Sequence, residues 1–235
     1  MKMYIQLFLL LLVTATGLRA QTVSAETLLE RSIKYHDPKG QWGKTPMTLN
    51  LKETRPGGSD RTTTIGIDLK KQTFRLDQMR EGNQLVYNIA MDDCTYELNG
   101  NSDISPEDLE KYRLNCDRAK TMRNYYTYLW GLPMKLTDPG TILHEVKMDE
   151  FMGKAAYRLK VTYSPEVGSD IWYFYFDPSS YALTGYRFYH DEATNDGEYI
   201  TLKGEEKIKN FRLPKERKWY THKEDKYLGA DILQQ

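Results

Sequence analysis

Cysteine is scarce in this chain: two in 235 residues, Cys94 and Cys116. Their spacing matches neither a CxxC redox pair nor a zinc site. Long hydrophobic runs are scarcer still. Ile5 to Val13, with Gln6 inside it, is the one apolar stretch of note. It is too short to span a bilayer, which takes ~20 apolar residues, and no later segment approaches that length. Charge of one sign is also missing, since 33 basic residues balance 33 acidic ones. Without a basic excess there is no phosphate-neutralising face, which argues against nucleic acid as a partner. Nor is there a special pull towards anionic lipid surfaces. The familiar catalytic signatures are absent too: no G-x-S-x-G elbow, no H-E-x-x-H helix, no G-x-x-x-x-G-K-[ST] loop. Cys94 follows Asp92 and Asp93, which would raise its thiol pKa rather than activate it. Repeats, low-complexity stretches and Pro/Ser-rich linkers are lacking, so nothing divides the chain into domains.

What is present begins with a leader. Lys2 supplies a positive start, the short apolar run follows, and Leu18-Arg19-Ala20 precedes Gln21. That order predicts a signal peptide over residues 1–20, cleaved after Ala20, and export to the periplasm. No cysteine stands at the cleavage site to carry a lipid anchor. Lys2 and Arg19 leave with the leader, so the mature chain has 31 basic and 33 acidic residues. Residues 21–235 suffice for a single domain with a substantial core. In an oxidising compartment an even cysteine pair predicts a Cys94–Cys116 disulfide.

The mature chain opens with a short helix. Ser24 can cap it, Leu28, Leu29 and Ile33 share a face, and Asp37-Pro38-Lys39-Gly40 stops it. His36-Asp37 at its end reads as a charge partner of the helix dipole. Strands with two-residue alternation follow: Met47, Leu49 and Leu51; Thr63, Ile65, Ile67 and Leu69; Phe74 and Leu76; Leu85, Tyr87, Ile89 and Met91; then Thr95 to Leu98. The period then changes. Ser105-Pro106-Glu107-Asp108 starts a helix, and Leu109, Tyr112, Cys116, Ala119, Met122, Tyr126 and Leu129 form one stripe. Asn115 could cap a second helix within it. Gly131 and Pro133 close this insertion, at about 105–132. Beyond it, Gly153-Lys154 marks a hairpin, and strands are expected at Tyr157 to Tyr163, Ile171 to Phe176, Tyr181 to Tyr189, Glu198 to Leu202, Lys207 to Leu213 and Glu216 to His222. Ile171 to Phe176 is aromatic on both faces, so a central strand covered on both sides is expected. The predicted class is mainly β (α+β): a strongly curved antiparallel sheet or open barrel of about 10–11 strands. The N-terminal helix and the helical insertion would cover its concave face.

Two blocks resemble a known family. Ile171-Trp172-Tyr173-Phe174-Tyr175-Phe176-Asp177-Pro178, followed by Tyr181-Ala182-Leu183, is similar to a strand-turn-strand of the periplasmic lipoprotein carriers of the LolA and LolB type. Phe211-Arg212-Leu213-Pro214 resembles their late strand. More closely, Tyr35-His36-Asp37-Pro38, the run Asn124 to Lys135 and Asp138-Pro139-Gly140 resemble blocks of an uncharacterised family of secreted envelope proteins, a likeness covering nearly all of residues 25–233. The carrier resemblance implies a cavity for acyl chains, and a lipid, an acyl chain or a lipoprotein as partner.

The residues themselves offer one strong signal. Tyr125, Tyr126, Tyr128 and Trp130 crowd one stretch of the insertion. Their rings either line an apolar pocket or simply pack between helix and sheet. The ligand-lining candidates are Tyr112, Met122, Tyr125, Tyr126, Leu129 and Trp130 on the insertion, with Trp172, Phe174 and Phe176 on the aromatic strand. Arg118, Arg123 and Lys135 flank the run, either as surface charge or as partners of an anionic headgroup. His190-Asp191-Glu192, with Asp196 and Glu198, has the chemistry of metal ligands but the setting of a solvated hairpin loop. No metal, cofactor or catalytic residue is predicted. The expected function is non-enzymatic binding or carriage of an apolar, lipid-like ligand. An envelope interaction scaffold without a small ligand is the first alternative, and a hydrolase the second.

Overall fold

The structure, a computed structural model, describes residues 23–234; the predicted signal peptide lies outside the described residues. Helix α1 spans Ala25–His36 and begins where expected, the Ser24 hydroxyl accepting the Thr27 N–H at 3.2 Å. Its apolar face buries Leu28 and Leu29.

His36 is not the dipole partner that its position suggests. It is buried, and the Arg212 carbonyl lies 2.6 Å from its Nδ1 while the Leu183 N–H donates to its Nε2 at 2.9 Å. One ring nitrogen donates and the other accepts, which requires the neutral ring. Burial holds its pKa below the ordinary value. The neutral imidazole thus staples α1 to two strands. Asp37 uses both carboxylate oxygens on the Gln41 and Trp42 N–H groups at 2.8 Å, turning the chain towards the first strand. A pH dependence follows. The unfolded chain takes up a proton on His36 near pH 6.5 whereas the folded chain resists, so stability falls as pH drops through and below that value. Urea titrations at pH 7.5 and pH 5 are expected to show a larger loss in the wild type than in His36→Gln. Equal losses would remove His36 from the account.

Twelve strands form one antiparallel sheet: β1 Met47–Thr54, β2 Arg61–Asp68, β3 Thr73–Arg80, β4 Asn83–Ala90, β5 Asp93–Leu98, β6 Thr141–Phe151, β7 Lys154–Tyr163, β8 Ile171–Phe176, β9 Leu183–Asp191, β10 Asp196–Ile208, β11 Phe211–Thr221 and β12 Tyr227–Gln234. Their order is β5-β4-β3-β2-β1-β12-β11-β10-β9-β8-β7-β6. Two hairpin meanders are thus joined by the pairing of β1 with β12, and the edges are β5 and β6. The count exceeds the ten or eleven expected. Edge strand β6 is largely exposed and polar and so carries little alternation. Strand β12 lies at the chain end, beyond the last strand read from the pattern. Residues 207–213 are not one strand: β10 runs to Ile208, and β11 continues through Pro214. Proline is tolerated there because β12 pairs with β11 only from Glu216 onward.

The chain must cross from edge β5 to edge β6, and the insertion makes that crossing over the concave face. It is two helices, α2 Pro106–Tyr112 and α3 Cys116–Gly131, followed by a 3-10 turn at Met134–Thr137. Ser105 caps α2 and Asn115 caps α3, with Arg113 in the left-handed region between them. Cys94 and Cys116 are joined as a disulfide, tying β5 to the first residue of α3. Gly131 ends α3 where the Trp42 ring would stand 2.4 Å from a Cβ.

Strand β8 is covered on both faces, as its composition predicts. Phe174 and Phe176 face the core below the helices. Tyr173 and Tyr175 face outward, into a small cluster with Phe151 and Ala156 of neighbouring strands. The outer cover is therefore side chains of the same sheet, not a second layer. The outer aromatic row continues through Tyr189 stacked on His222 (4.4 Å) and Tyr199 stacked on Tyr220 (4.9 Å).

Candidate functional site

Helix α3 does not seal the concave face. A cavity of about 760 Å³ lies between it and the β7–β9 and β11 part of the sheet. Its walls are aromatic and apolar: Tyr125, Tyr128 and Leu129 from α3, Tyr163 from β7, Trp172 from β8, Phe188 from β9 and Trp219 from β11. These rings brace one another. Trp172 stacks on Phe188 at 4.8 Å, Tyr128 meets Trp172 edge-on at 5.6 Å, and Tyr125 lies parallel to Trp219 at 6.1 Å. Such offset and edge contacts hold aromatic walls in place without filling the space between them.

The polar groups at the rim are few and mostly paired. The Tyr128 and Tyr163 hydroxyls hydrogen-bond each other. Burial pushes Tyr163 up to about 12 and raises Tyr128 well above its ordinary value, so both remain neutral donors. Lys135 pairs with Asp138, and Asp170 with His190 at 2.8 Å. The Asp170 hydrogen bond raises the pKa of His190. Glu198 is pushed up by burial. Two cations, Arg123 and Lys135, thus meet two carboxylates, Asp170 and Glu198, around an apolar hollow.

Beneath the middle of α3 the floor is polar and buried. Glu53 accepts from the Tyr126 hydroxyl at 2.8 Å, the Thr63 hydroxyl at 2.6 Å and Gln78 Nε2 at 3.1 Å. Arg55 pairs with Asp231 at 3.0 Å. Arg217 is almost wholly buried, donates to the Leu129 carbonyl at 2.6 Å and stacks over the Trp130 ring at 3.8 Å. These bonds set the height of α3 above the sheet, and so the depth of the hollow beside it.

The sequence matches, over residues 5–234, a family described as a family of unknown function, DUF6503. The chain belongs to it. No curated protein is similar to it in sequence. Among solved structures the chain is similar to a LolA superfamily protein from Nitrosomonas europaea: TM-score 0.50, 7% identity, 91% of this chain and 92% of that one covered. It is also similar to a putative outer membrane lipoprotein-sorting protein domain from Vibrio parahaemolyticus: TM-score 0.49, 10% identity, 90% and 92% covered. The fold is thus LolA-like, as the sequence blocks suggested. Among the described residues no helix is long and apolar enough to cross a membrane. A disulfide is the mark of an oxidising, extracytoplasmic compartment.

The predicted lining residues divide three ways in this DUF6503 chain. Tyr125, Leu129 and Trp172 line the apolar cavity. Tyr112, Met122 and Tyr126, with Tyr125 again, line a separate polar cavity towards α2. Trp130, Phe174 and Phe176 line neither; they are fully buried core. Of the flanking cations, Arg123 and Lys135 stand at the apolar cavity and Arg118 at the polar one. Tyr128, one of the aromatic run, is also a wall residue, and the structure adds Tyr163, Phe188 and Trp219, which only the strand register brings under α3. His190 and Asp196, read as a hairpin loop, do flank a turn between β9 and β10.

Proposed function

We propose that this protein binds an apolar or amphipathic, lipid-like ligand between α3 and the curved sheet, and carries it through the periplasm without chemical change. One observation carries the reading: a hollow of about 760 Å³, walled mainly by aromatic and aliphatic side chains and rimmed by neutral hydroxyls and balanced charges. That size and lining suit a ligand pocket, and an apolar hollow gains little from holding water. The LolA-like fold supports the same reading by analogy, which is weaker than the site itself. Among the described residues that line the hollow with Glu198 and Asp170 there is no serine or cysteine, and both cysteines are bridged. This supports binding rather than hydrolysis.

Gly168 offers a clean test. It lines the hollow, and a Cβ there would meet nothing within 4 Å. Gly168→Phe is expected to intrude on the ligand space without disturbing the core. Titration with a fluorescent fatty acid is expected to show saturable binding to the wild type, weakened about tenfold or more in Gly168→Phe at unchanged Tm, the loss of roughly 1.4 kcal/mol or more. An absence of saturable binding to the wild type would leave the envelope scaffold as the reading.

A further inference from the structure

The polar cavity on the other side of Tyr125 is about 480 Å³, enclosed by β1–β4 below and by α2 and the start of α3 above. Its charge is out of keeping with the chain. Acidic and basic residues are equal in number overall, yet this lining sets Arg55, Arg61, Arg80, Lys111, Arg113 and Arg118 against the single carboxylate of Glu53. Glu53 is already engaged by Tyr126, Thr63 and Gln78, and Arg55 by Asp231. Among the described residues Arg61, Arg80, Arg113 and Arg118 have no ion-pair partner.

Two further features give this excess a direction. Arg61 and Arg80 are direct partners across the β2–β3 ladder, a like-charge pairing that is destabilising by itself. Their Nε atoms are both buried without a hydrogen-bond acceptor. From above, Arg118 of α3 lines the same cavity as Arg61 and Arg80 of the sheet, so cations from sheet and helix face one space. Converging guanidinium forks that face no free carboxylate fit a phosphate-type oxyanion, whose oxygens each accept charge-assisted hydrogen bonds. The apolar hollow next door has balanced rim charges and so no such selectivity. Tyr125 lines both spaces.

Resting on the ligand-binding function proposed above, we infer that this cavity holds the anionic, phosphate-type headgroup of the same amphiphile whose apolar part occupies the first hollow, with Tyr125, which lines both spaces, beside the link between head and chain. The cavity is the specificity-determining half of a two-part site. It selects anionic lipids over neutral ones of the same chain length.

Isothermal titration with three probes tests this: dioctanoyl phosphatidic acid, the neutral dioctanoylglycerol, and inorganic phosphate. The phosphatidic acid is expected to bind at least tenfold more tightly than the neutral lipid. The Arg61→Gln/Arg80→Gln variant is expected to bind both lipids alike while its Tm does not fall, since the change removes a repulsive pair. Gly168→Phe is expected to weaken both lipids and leave phosphate unaffected. Equal affinity of the two lipids for the wild type, or an unchanged preference in the double glutamine variant, overturns the headgroup site and leaves the carrier function standing. Phosphate binding that the glutamines abolish, with neither lipid bound, assigns the cavity to a free anion and overturns both the link and the carrier reading.

Discussion

Replacing Trp130 by alanine is expected to destabilise the protein by about 3–5 kcal/mol, the range for truncating a large buried aromatic. The ring is fully buried in the core between α3 and the sheet. It also lies 3.8 Å from the Arg217 guanidinium, which is itself buried and donates to the backbone of α3 at Leu129. Truncation removes packing, leaves a cavity and strips one face from a desolvated cation. Urea unfolding monitored by far-ultraviolet dichroism measures the loss. Trp130→Phe keeps an aromatic face over Arg217 and is expected to recover a large part of it. A loss below about 1 kcal/mol for the alanine variant would show that α3 is anchored elsewhere. Trp130 is one of the ligand-lining candidates in the sequence, so the same variant separates core from site. Its unfolding changes strongly, while fatty-acid affinity in the folded fraction changes less than in Gly168→Phe.

Loss of the disulfide is the second large effect. Converting both Cys94 and Cys116 to serine is expected to lower stability by roughly 2–4 kcal/mol, as for a bridge closing a loop of this length. The bridge spans 22 positions and joins edge strand β5 to the start of α3. Strand β5 has only β4 as a ladder partner, so it depends on that tie more than a central strand would. Hydrogen exchange is expected to accelerate first in β5 and α2 and last in β1 and β12. Uniform acceleration across the sheet would mean that the bridge acts on the unfolded chain alone.

Much of the architecture was legible because local rules and tertiary demand agree. Alternation in β1 to β3 reports one buried face, and the pattern survives in the structure as buried residues at every second position. The caps Ser24, Ser105 and Asn115 act as their residue types predict. Strand β6 escaped notice because an edge strand over solvent needs no apolar period. The role of His36 is hidden from its local sequence because it depends on Leu183 and Arg212, 147 and 176 positions away.

Readable along the chain are the sheet-and-insertion plan, the pairing of its two cysteines and the absence of recognised catalytic motifs. These depend on periodicity, composition and count, which are local properties of the chain. The tertiary structure alone decided which aromatics are wall and which are core. Trp130 differs from Tyr125 and Tyr128 only by its angle around one helix, and that angle acquires meaning once α3 is set against a particular register of strands. It alone also brought Arg61, Arg80 and Arg118 together, from two strands and a helix that share no motif. Charge convergence is a property of positions in space, and equal totals of acid and base along the chain conceal it.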